Sequence, residues 1–334
     1  MPAGRINCEK KLDKYSRGSV PIGCFVSEAI GWGPTMRESL AARQQMCDAI
    51  DDEIAERTKV HQGKIARLKT ARANLRAAGA QPQSTPLVML AHGDSWFDYP
   101  LSGNSVSFKD TDIIAQLRGM GSVNPVILNI SHYGDATTDE MSLPKQERMI
   151  SSLQDPANWM DSGKPDAILF SGGGNDVVGD QFCIYVDYAL PGAAGLNTVR
   201  FEKALSAVEA SYLDLFVFRD RYASGVPVIG HCYDFPIPNG IHPACAGPWL
   251  KPSLDYCGWD LAHGTAIARA ALLDFKNALV GLAGDRTNNF LMVDTQGVLT
   301  PADWANELHP FPNGFKSIAG KFVDALRVKF PGRV

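Results

Sequence analysis

The sequence lacks the long apolar segment that a membrane-spanning helix needs. No apolar run in the 334-residue chain approaches the roughly 20 residues required. Its N-terminus, MPAGRINCEKKLDKYSRGSVPIGCF, has no continuous apolar core of the signal-peptide kind. We therefore expect no transmembrane segment and a cytoplasmic location by default, and export by a route without a cleaved signal stays open.

The sequence also lacks a large excess of charge of one sign, and it lacks closely spaced cysteine pairs. The net charge is −4, which gives no reason to expect nucleic acid or an anionic membrane as a partner. None of the 7 cysteines forms a C-x-x-C pair, so zinc-ribbon and thioredoxin-like sites are excluded. Cys245 and Cys257 flank a Pro/Gly-rich loop and would pair in an oxidising compartment. Reduced, packed thiols are the alternative.

Proline is absent from residues 36–79, within an N-terminal region of residues 1–85. Apolar residues recur there at helical spacings, at Leu40, Ile50, Ile54, Ile65, Leu68 and Leu75. Acidic residues dominate the first half of this predicted helix and basic residues the second. Three interpretations stay open: an amphipathic helix packed on its own domain, a hairpin bent near residues 61–63, or a surface for a homo-oligomer or protein partner.

From residue 86 onwards, short apolar runs alternate with helical patterns. The runs are PLVMLAH, PVILNISHYG, DAILFSGGGND, VPVIGHCYDFP and FLMVDTQG, and residues 201–223 and 265–283 are two of the helical patterns. This alternation predicts an α/β fold with a parallel sheet of about five strands, covered on both faces. Ligands bind such sheets beyond the carboxyl ends of the strands.

Four positions near these ends have side chains or backbone groups suited to catalysis. The first strand ends in Gly-Asp-Ser, residues 93–95, where Ser95 is either a nucleophile on a tight bend or an ordinary helix start. Gly134 lies in the loop after the second strand, and Asn175 offers a side-chain N–H after the third. The glycines before Asn175 are not followed by the Gly-Lys-Ser/Thr of a P-loop. His309 precedes the last predicted helix and is placed as a general base.

Taken in chain order, Ser95, Gly134, Asn175 and His309 resemble the landmarks of the SGNH, or GDSL-type, serine hydrolase family, over about residues 86–334. The resemblance implies a three-layer α/β/α sandwich of the flavodoxin-like type. It also implies ester hydrolysis, with Ser95 as nucleophile, His309 as base, and an oxyanion hole from Ser95, Gly134 and Asn175. No metal and no organic cofactor is implied.

One position departs from the family pattern. The family usually has an Asp three residues before the His, and Asn306 stands there in this sequence. A neutral amide can orient the ring of His309, but it cannot stabilise an imidazolium as a carboxylate does. Asp303 is slightly favoured over Glu307 as an alternative acid, and Asp294 is the third candidate. The group that steadies His309 therefore stays open.

An insertion at about residues 235–264 follows the fourth strand, and we expect it to lie on the active-site side of the sheet. Its Trp249 and Trp259, together with Trp96, are candidates for a pocket that holds a lipid chain or a sugar face, or they cover the sheet edge. The leading hypothesis is an esterase of lipase, lysophospholipase or thioesterase type, acting on a small-molecule or lipid ester. A carbohydrate O-deacetylase is the alternative. A catalytically weak interaction module, docked through the N-terminal helix, is a hypothesis of a different class.

Overall fold

A computed structural model describes residues 36–80, 85–99, 111–242 and 247–334. In that part of the chain, a five-stranded sheet has the order β2-β1-β3-β4-β5, and neighbouring strands are parallel throughout. The strands are β1 (Val88–Gly93), β2 (Val126–Asn129), β3 (Ala167–Ser171), β4 (Val228–His231) and β5 (Phe290–Val293). The predicted strands all form, and their order is the flavodoxin-like one.

Helices cover both faces of this sheet. The helices of the described residues are α1 (Met36–Ala77), α2 (Ile113–Leu117), α3 (Thr137–Glu140), α4 (Leu143–Gln154), α5 (Gly174–Val177), α6 (Thr198–Tyr222), α7 (Lys251–Tyr256), α8 (Leu261–Gly284) and α9 (Pro312–Lys329). On one face, Phe322 of α9 packs against His231 of β4, with ring centroids 5.7 Å apart. On the other, Tyr212 of α6 meets Phe170 of β3 edge-on at 5.0 Å. The predicted three-layer sandwich is confirmed.

The strand order places the carboxyl ends of β1 and β3 side by side. Gly93, the last residue of β1, is in register with Ser171, the last residue of β3. β2 lies on the opposite side of β1, so the chain changes direction across the sheet at β1. Loops from neighbouring strands diverge at such a switch point and leave a crevice for ligands.

Helix α1 is a single continuous element that packs against β2, the edge strand of the sheet. The hairpin interpretation is therefore wrong. Ile54 and Ile65 are buried, and the buried His61 ring lies 2.8 Å through Nε2 from the backbone carbonyl of Asn158. Ile54 and Ile65 of the apolar face considered for a partner are thus covered by the chain's own domain, whereas Leu75 is exposed. The helix in turn shields the edge of the sheet at β2.

The charged halves of α1 each pair with the sheet domain, besides ion pairs between the halves where they meet, such as Glu53 with Arg57. Asp51, in the acidic half, forms an ion pair with Arg148 of α4. Arg72, in the basic half, lies 3.3 Å from the carboxylate of Asp161. The polarised charge pattern thus complements two separate parts of the same chain.

The insertion forms irregular backbone at residues 235–242 and 247–250, then α7 and the first turn of α8. Cys257 is buried, and Cys245, its suggested partner, lies outside the described residues. Among the described residues, the helices are too short or too polar to span a bilayer.

Candidate active site

Ser95 stands on a sharp bend directly beyond β1. Gly93 has φ +151°, and a Cβ at that position would lie 2.4 Å from the carbonyl oxygen of Ser171, so the bend requires glycine. Asp94 donates its backbone N–H to the same carbonyl at 2.9 Å, and its Oδ1 accepts the Trp96 N–H at 3.0 Å. These bonds project Ser95 over the crevice at the switch point.

His309 meets Ser95 across 214 residues of sequence, with 2.6 Å between Oγ and Nε2. Asn306 Oδ1 accepts the backbone N–H groups of Leu308 at 2.8 Å and His309 at 2.7 Å, which fixes the amide with its oxygen towards the ring. The same oxygen lies 3.2 Å from His309 Nδ1. Because that oxygen can only accept, Nδ1 carries the proton and Nε2 is left to accept the Ser95 hydroxyl.

Burial keeps His309 in its neutral form. The residue is 8% exposed, and its ring lies 4.4 Å from the ring of Tyr99, centroid to centroid. Removal from water lowers the pKa of His309 to about 3, because desolvation penalises the charged imidazolium. The imidazole is therefore neutral at ordinary pH, and the imidazolium that forms on proton transfer needs stabilisation by its surroundings.

The three carboxylates considered as acids have their hydrogen bonds elsewhere. Asp303, which the sequence favours, accepts the N–H and hydroxyl of Thr300 at 2.8 and 2.7 Å and caps a short 3-10 helix at Pro301–Asp303. Asp294 pairs with Lys276 at 2.5 Å. The group on His309 Nδ1 is Asn306, so the structure places an amide and not Asp303 in the orienting position.

Glu307, the second acid considered, is 1% exposed. Its carboxylate accepts backbone N–H groups from two separate stretches of the insertion: Gly240 at 2.9 Å, Leu250 at 2.7 Å, Lys251 at 3.1 Å, and also Trp249. Four donors satisfy a buried carboxylate without a cation. Glu307 therefore ties the insertion to the loop that holds His309.

Asn175 and Gly134, the candidate oxyanion residues outside the nucleophile turn, are linked by a hydrogen bond from the Asn175 side chain to the loop of Gly134. Asn175, in the first turn of α5, donates one side-chain N–H to the carbonyl of Asp135 at 2.8 Å. Asp135 directly follows Gly134, which has φ +84° in the loop after β2. The Asn175 amide has a second N–H, and the residue lines the cleft beside Ser95. Gly134 is exposed in its loop.

The cleft beside Ser95 is small. It encloses about 30 Å³, and the described residues that line it are Asp94, Ser95, Trp96, Gly174, Asn175, Val178, Tyr233, Asp234, Pro236, Leu272, Leu308 and His309. Of the tryptophans predicted to line a pocket, Trp96 is in this set and Trp249 and Trp259 are not. The Trp259 indole N–H donates to the Asp187 carbonyl at 2.7 Å, so this ring packs within the neighbouring loop.

A buried polar network beneath the cleft was not expected from the sequence. Ser171 Oγ lies 2.7 Å from Asp94 Oδ1 and 2.9 Å from His231 Nε2, and the Tyr233 hydroxyl donates to the other Asp94 oxygen. Burial raises the pKa of Asp94 to about 6, against the lowering effect of the bonds from Tyr233, Ser171 and Trp96. The available signal was that β3 and β4 both end in polar residues.

Comparison with known proteins adds similarity of fold. No family model matches the chain, and no curated protein matches it. The lipase Lip_vut3 from a goat rumen metagenome is 15% identical, with TM-score 0.47 over 72% of this chain and 97% of that one. An extracellular lipase from Streptomyces rimosus is 19% identical, with TM-score 0.44 over 71% and 98%. The acetyl xylan esterase Est2A from Butyrivibrio proteoclasticus is 15% identical, with TM-score 0.40 over 76% and 66%. Identities and TM-scores are low, so function is inferred from the side chains of the site.

Proposed function

We propose that this protein is a serine hydrolase of carboxylic esters, with Ser95 as nucleophile and His309 as general base. The observation that carries the proposal is the 2.6 Å contact between Ser95 Oγ and His309 Nε2. Asn306 holds Nε2 as an acceptor, and the pair borders a cleft. A hydroxyl facing a neutral, oriented imidazole is the arrangement that activates a serine.

The reaction follows from this geometry. Ser95 Oγ attacks the ester carbonyl carbon while its proton moves to His309 Nε2. The tetrahedral intermediate collapses, the C–O bond to the alcohol breaks, and Nε2 returns the proton to the departing oxygen. Water then attacks the acyl-Ser95 ester with His309 again as base, and the carboxylic acid leaves as Ser95 regains its proton.

The negative charge on the carbonyl oxygen needs donors. We assign them to the backbone N–H groups of Ser95 and Gly134 and to the second side-chain N–H of Asn175. The bond from Asn175 to the Asp135 carbonyl supports the assignment, because it holds the amide next to the Gly134 loop before substrate arrives. A preorganised donor of this kind contributes about 3 kcal/mol to the transition state.

The test is hydrolysis of p-nitrophenyl acetate by the wild type and by Ser95→Ala, together with labelling by a fluorophosphonate probe. The proposal expects turnover and covalent labelling at Ser95 in the wild type and neither in the variant. A folded wild type that neither turns over nor labels would instead favour the interaction module, in which the orienting amide of Asn306 marks a weakened site.

For the acyl group, we propose a short chain. The cleft volume of about 30 Å³ is far below the roughly 300 Å³ at which pockets that enclose larger ligands begin. This observation favours acetyl esters, including the carbohydrate O-deacetylase alternative, over a long-chain lipase. We expect kcat/KM for p-nitrophenyl acetate to exceed that for the dodecanoate by about tenfold or more, because the longer chain would have to displace residues that line the cleft before its carbonyl reaches Ser95, and small misplacements at a reacting centre are costly. A preference for the dodecanoate would reverse this assignment, and acetylated xylan as substrate would identify the deacetylase.

A further inference from the structure

Arg57, on helix α1, reaches the loops that carry two candidate catalytic groups. Its Nη1 donates to the backbone carbonyl of Ser131 at 3.1 Å, and its Nη2 donates to Asp98 Oδ1 at 2.6 Å. Glu53, one turn earlier on α1, also pairs with the guanidinium. The Arg57 and Asp98 side chains are only 22% and 14% exposed, so water screens this contact weakly.

Asp98 belongs to the same turn as the nucleophile. Its backbone N–H donates to the carbonyl of Asp94 at 3.1 Å, and the N–H of Phe97 donates to that carbonyl at 3.1 Å as well. Ser95 lies between these bonded residues. A displacement of Asp98 would therefore be transmitted to Ser95 through a closed backbone turn.

Ser131 lies near the start of the loop that contains Gly134, two residues after the end of β2. The next residue, His132, donates its N–H to the carbonyl of Gly93 at 3.0 Å, which fastens the start of this loop to the base of the nucleophile bend. Ser131 itself donates its N–H to Asn129 Oδ1 at 3.1 Å. Arg57 adds a contact from outside the sheet that spans both loops at once.

The element that carries Arg57 is firmly docked. Ile54 lies one turn before it and His61 one turn after it, and both are buried against the sheet domain. A guanidinium offers several N–H donors in a rigid plane, whereas an ammonium is a single point of charge on a flexible stem. An arginine at this position can thus hold two acceptors at a set separation.

We infer that Arg57 is a positioning residue of the active site, holding the Ser95 turn and the Gly134 loop at the separation that the oxyanion requires. Helix α1, which lies outside the family resemblance, is in this way part of the catalytic structure. The inference rests on the proposed esterase function. Arg57 touches neither substrate nor Ser95 Oγ, so its removal acts on kcat through geometry and leaves KM nearly unchanged.

The test compares Arg57→Ala with Arg72→Ala on p-nitrophenyl acetate. Arg72 is a matched control, because it also pairs α1 with the sheet domain, through Asp161 at 3.3 Å and with 30% of its side chain exposed. We expect a kcat loss of about tenfold or more in Arg57→Ala, since small displacements at a reacting centre are costly. Arg57→Lys should fall between that variant and the wild type. Arg72→Ala should keep wild-type kcat, although the midpoint temperature of unfolding should fall by a similar amount in both alanine variants.

Asp98→Ala and the Arg57→Ala/Asp98→Ala double variant complete the test. If Arg57→Ala does not fold, kcat of Asp98→Ala tests the same contact from its other side. Because Arg57 and Asp98 act through one shared contact, the double variant should lose little more kcat than either single variant. An active wild type whose kcat survives Arg57→Ala, or falls equally in Arg72→Ala, overturns the inference and leaves the esterase intact. Additive losses in the double variant also overturn it. An inactive, unlabelled wild type overturns the proposed function, and the inference with it.

Discussion

Two serine–histidine pairs lie near Asp94, and the hydrogen bond within them has opposite directions. The serine donates in one pair, and the histidine donates in the other. In Ser95–His309, Nδ1–H donates to Asn306 Oδ1, so Nε2 carries no proton and accepts from the serine hydroxyl at 2.6 Å. In Ser171–His231, the Tyr233 N–H donates to His231 Nδ1 at 3.3 Å, so Nε2 carries the proton and donates to Ser171 at 2.9 Å.

The second pair also differs in what receives the serine proton. The Ser171 hydroxyl donates to Asp94 Oδ1 at 2.7 Å, and both Ser171 and His231 are 0% exposed. A histidine that donates to a serine cannot also remove its proton. Proximity of serine and histidine is therefore not sufficient for catalysis; the tautomer and access to substrate decide which pair can react.

The largest expected effect is a difference in activity between variants of the two serine–histidine pairs. Ser95→Ala and His309→Ala should each lower kcat/KM on p-nitrophenyl acetate by on the order of 10⁴-fold, because each removes a group of the acyl-transfer step. Ser171→Ala should retain most of the wild-type rate. Steady-state kinetics of the three variants, with circular dichroism to check folding, make the comparison. A folded Ser171→Ala variant as inactive as Ser95→Ala would contradict it.

The next effect concerns Asp94, which links the pairs. The pKa of Asp94 is about 6, raised chiefly by burial, whereas that of His309 is about 3. As pH falls through 6, Asp94 gains a proton and disturbs the nucleophile bend while His309 stays neutral. We expect kcat/KM to fall about tenfold per pH unit below 6.

The pH profile of Asp94→Asn is the control for that prediction. An amide does not titrate in this range, so the acidic limb near pH 6 should disappear, although the overall rate will be lower. A limb that stays at pH 6 in this variant would assign it to a group other than Asp94.

A smaller effect is expected at Asn306, in the orienting position of the reactive pair. Asn306→Asp should raise kcat by roughly tenfold or less, because a carboxylate stabilises the imidazolium that forms on His309. It should also raise the pKa of His309, measurable by NMR titration of the ring. Asn306→Ala, which removes the acceptor, should lower kcat, and equal rates in all three proteins would show that backbone alone orients the ring.

The smallest effect on turnover is expected in the buried pair, where the change is in stability. Ser171→Ala removes a donor to a buried carboxylate, which should lower the free energy of unfolding by about 1–3 kcal/mol. Thermal or urea unfolding beside Ser317→Ala, which loses only a surface hydroxyl bond to Asn313, provides the measurement. Equal stability of the two variants would mean that the buried bond contributes nothing beyond a surface one.

The strands were predictable because each reads as a short apolar run, and all six residues of the interior strand β1 are buried. The landmark residues were also predictable, since Gly-Asp-Ser and Gly-x-Asn-Asp occupy short sequence stretches. The orienting role of Asn306 was one of several open choices. It depended on the loop backbone, which directs the amide oxygen towards His309 and leaves Asp303 to cap Thr300.

By itself, the sequence determined the parallel α/β architecture and the residue types available for catalysis, because periodicity and turn chemistry act over a few neighbouring residues. Only the tertiary structure decided which histidine meets which serine, since His309 and Ser95 are 214 residues apart and their contact depends on strand register. It also decided that α1 covers the edge of the sheet and that Arg57 reaches the site loops. Such long-range contacts depend on burial and on the directions of hydrogen bonds, which no local pattern specifies.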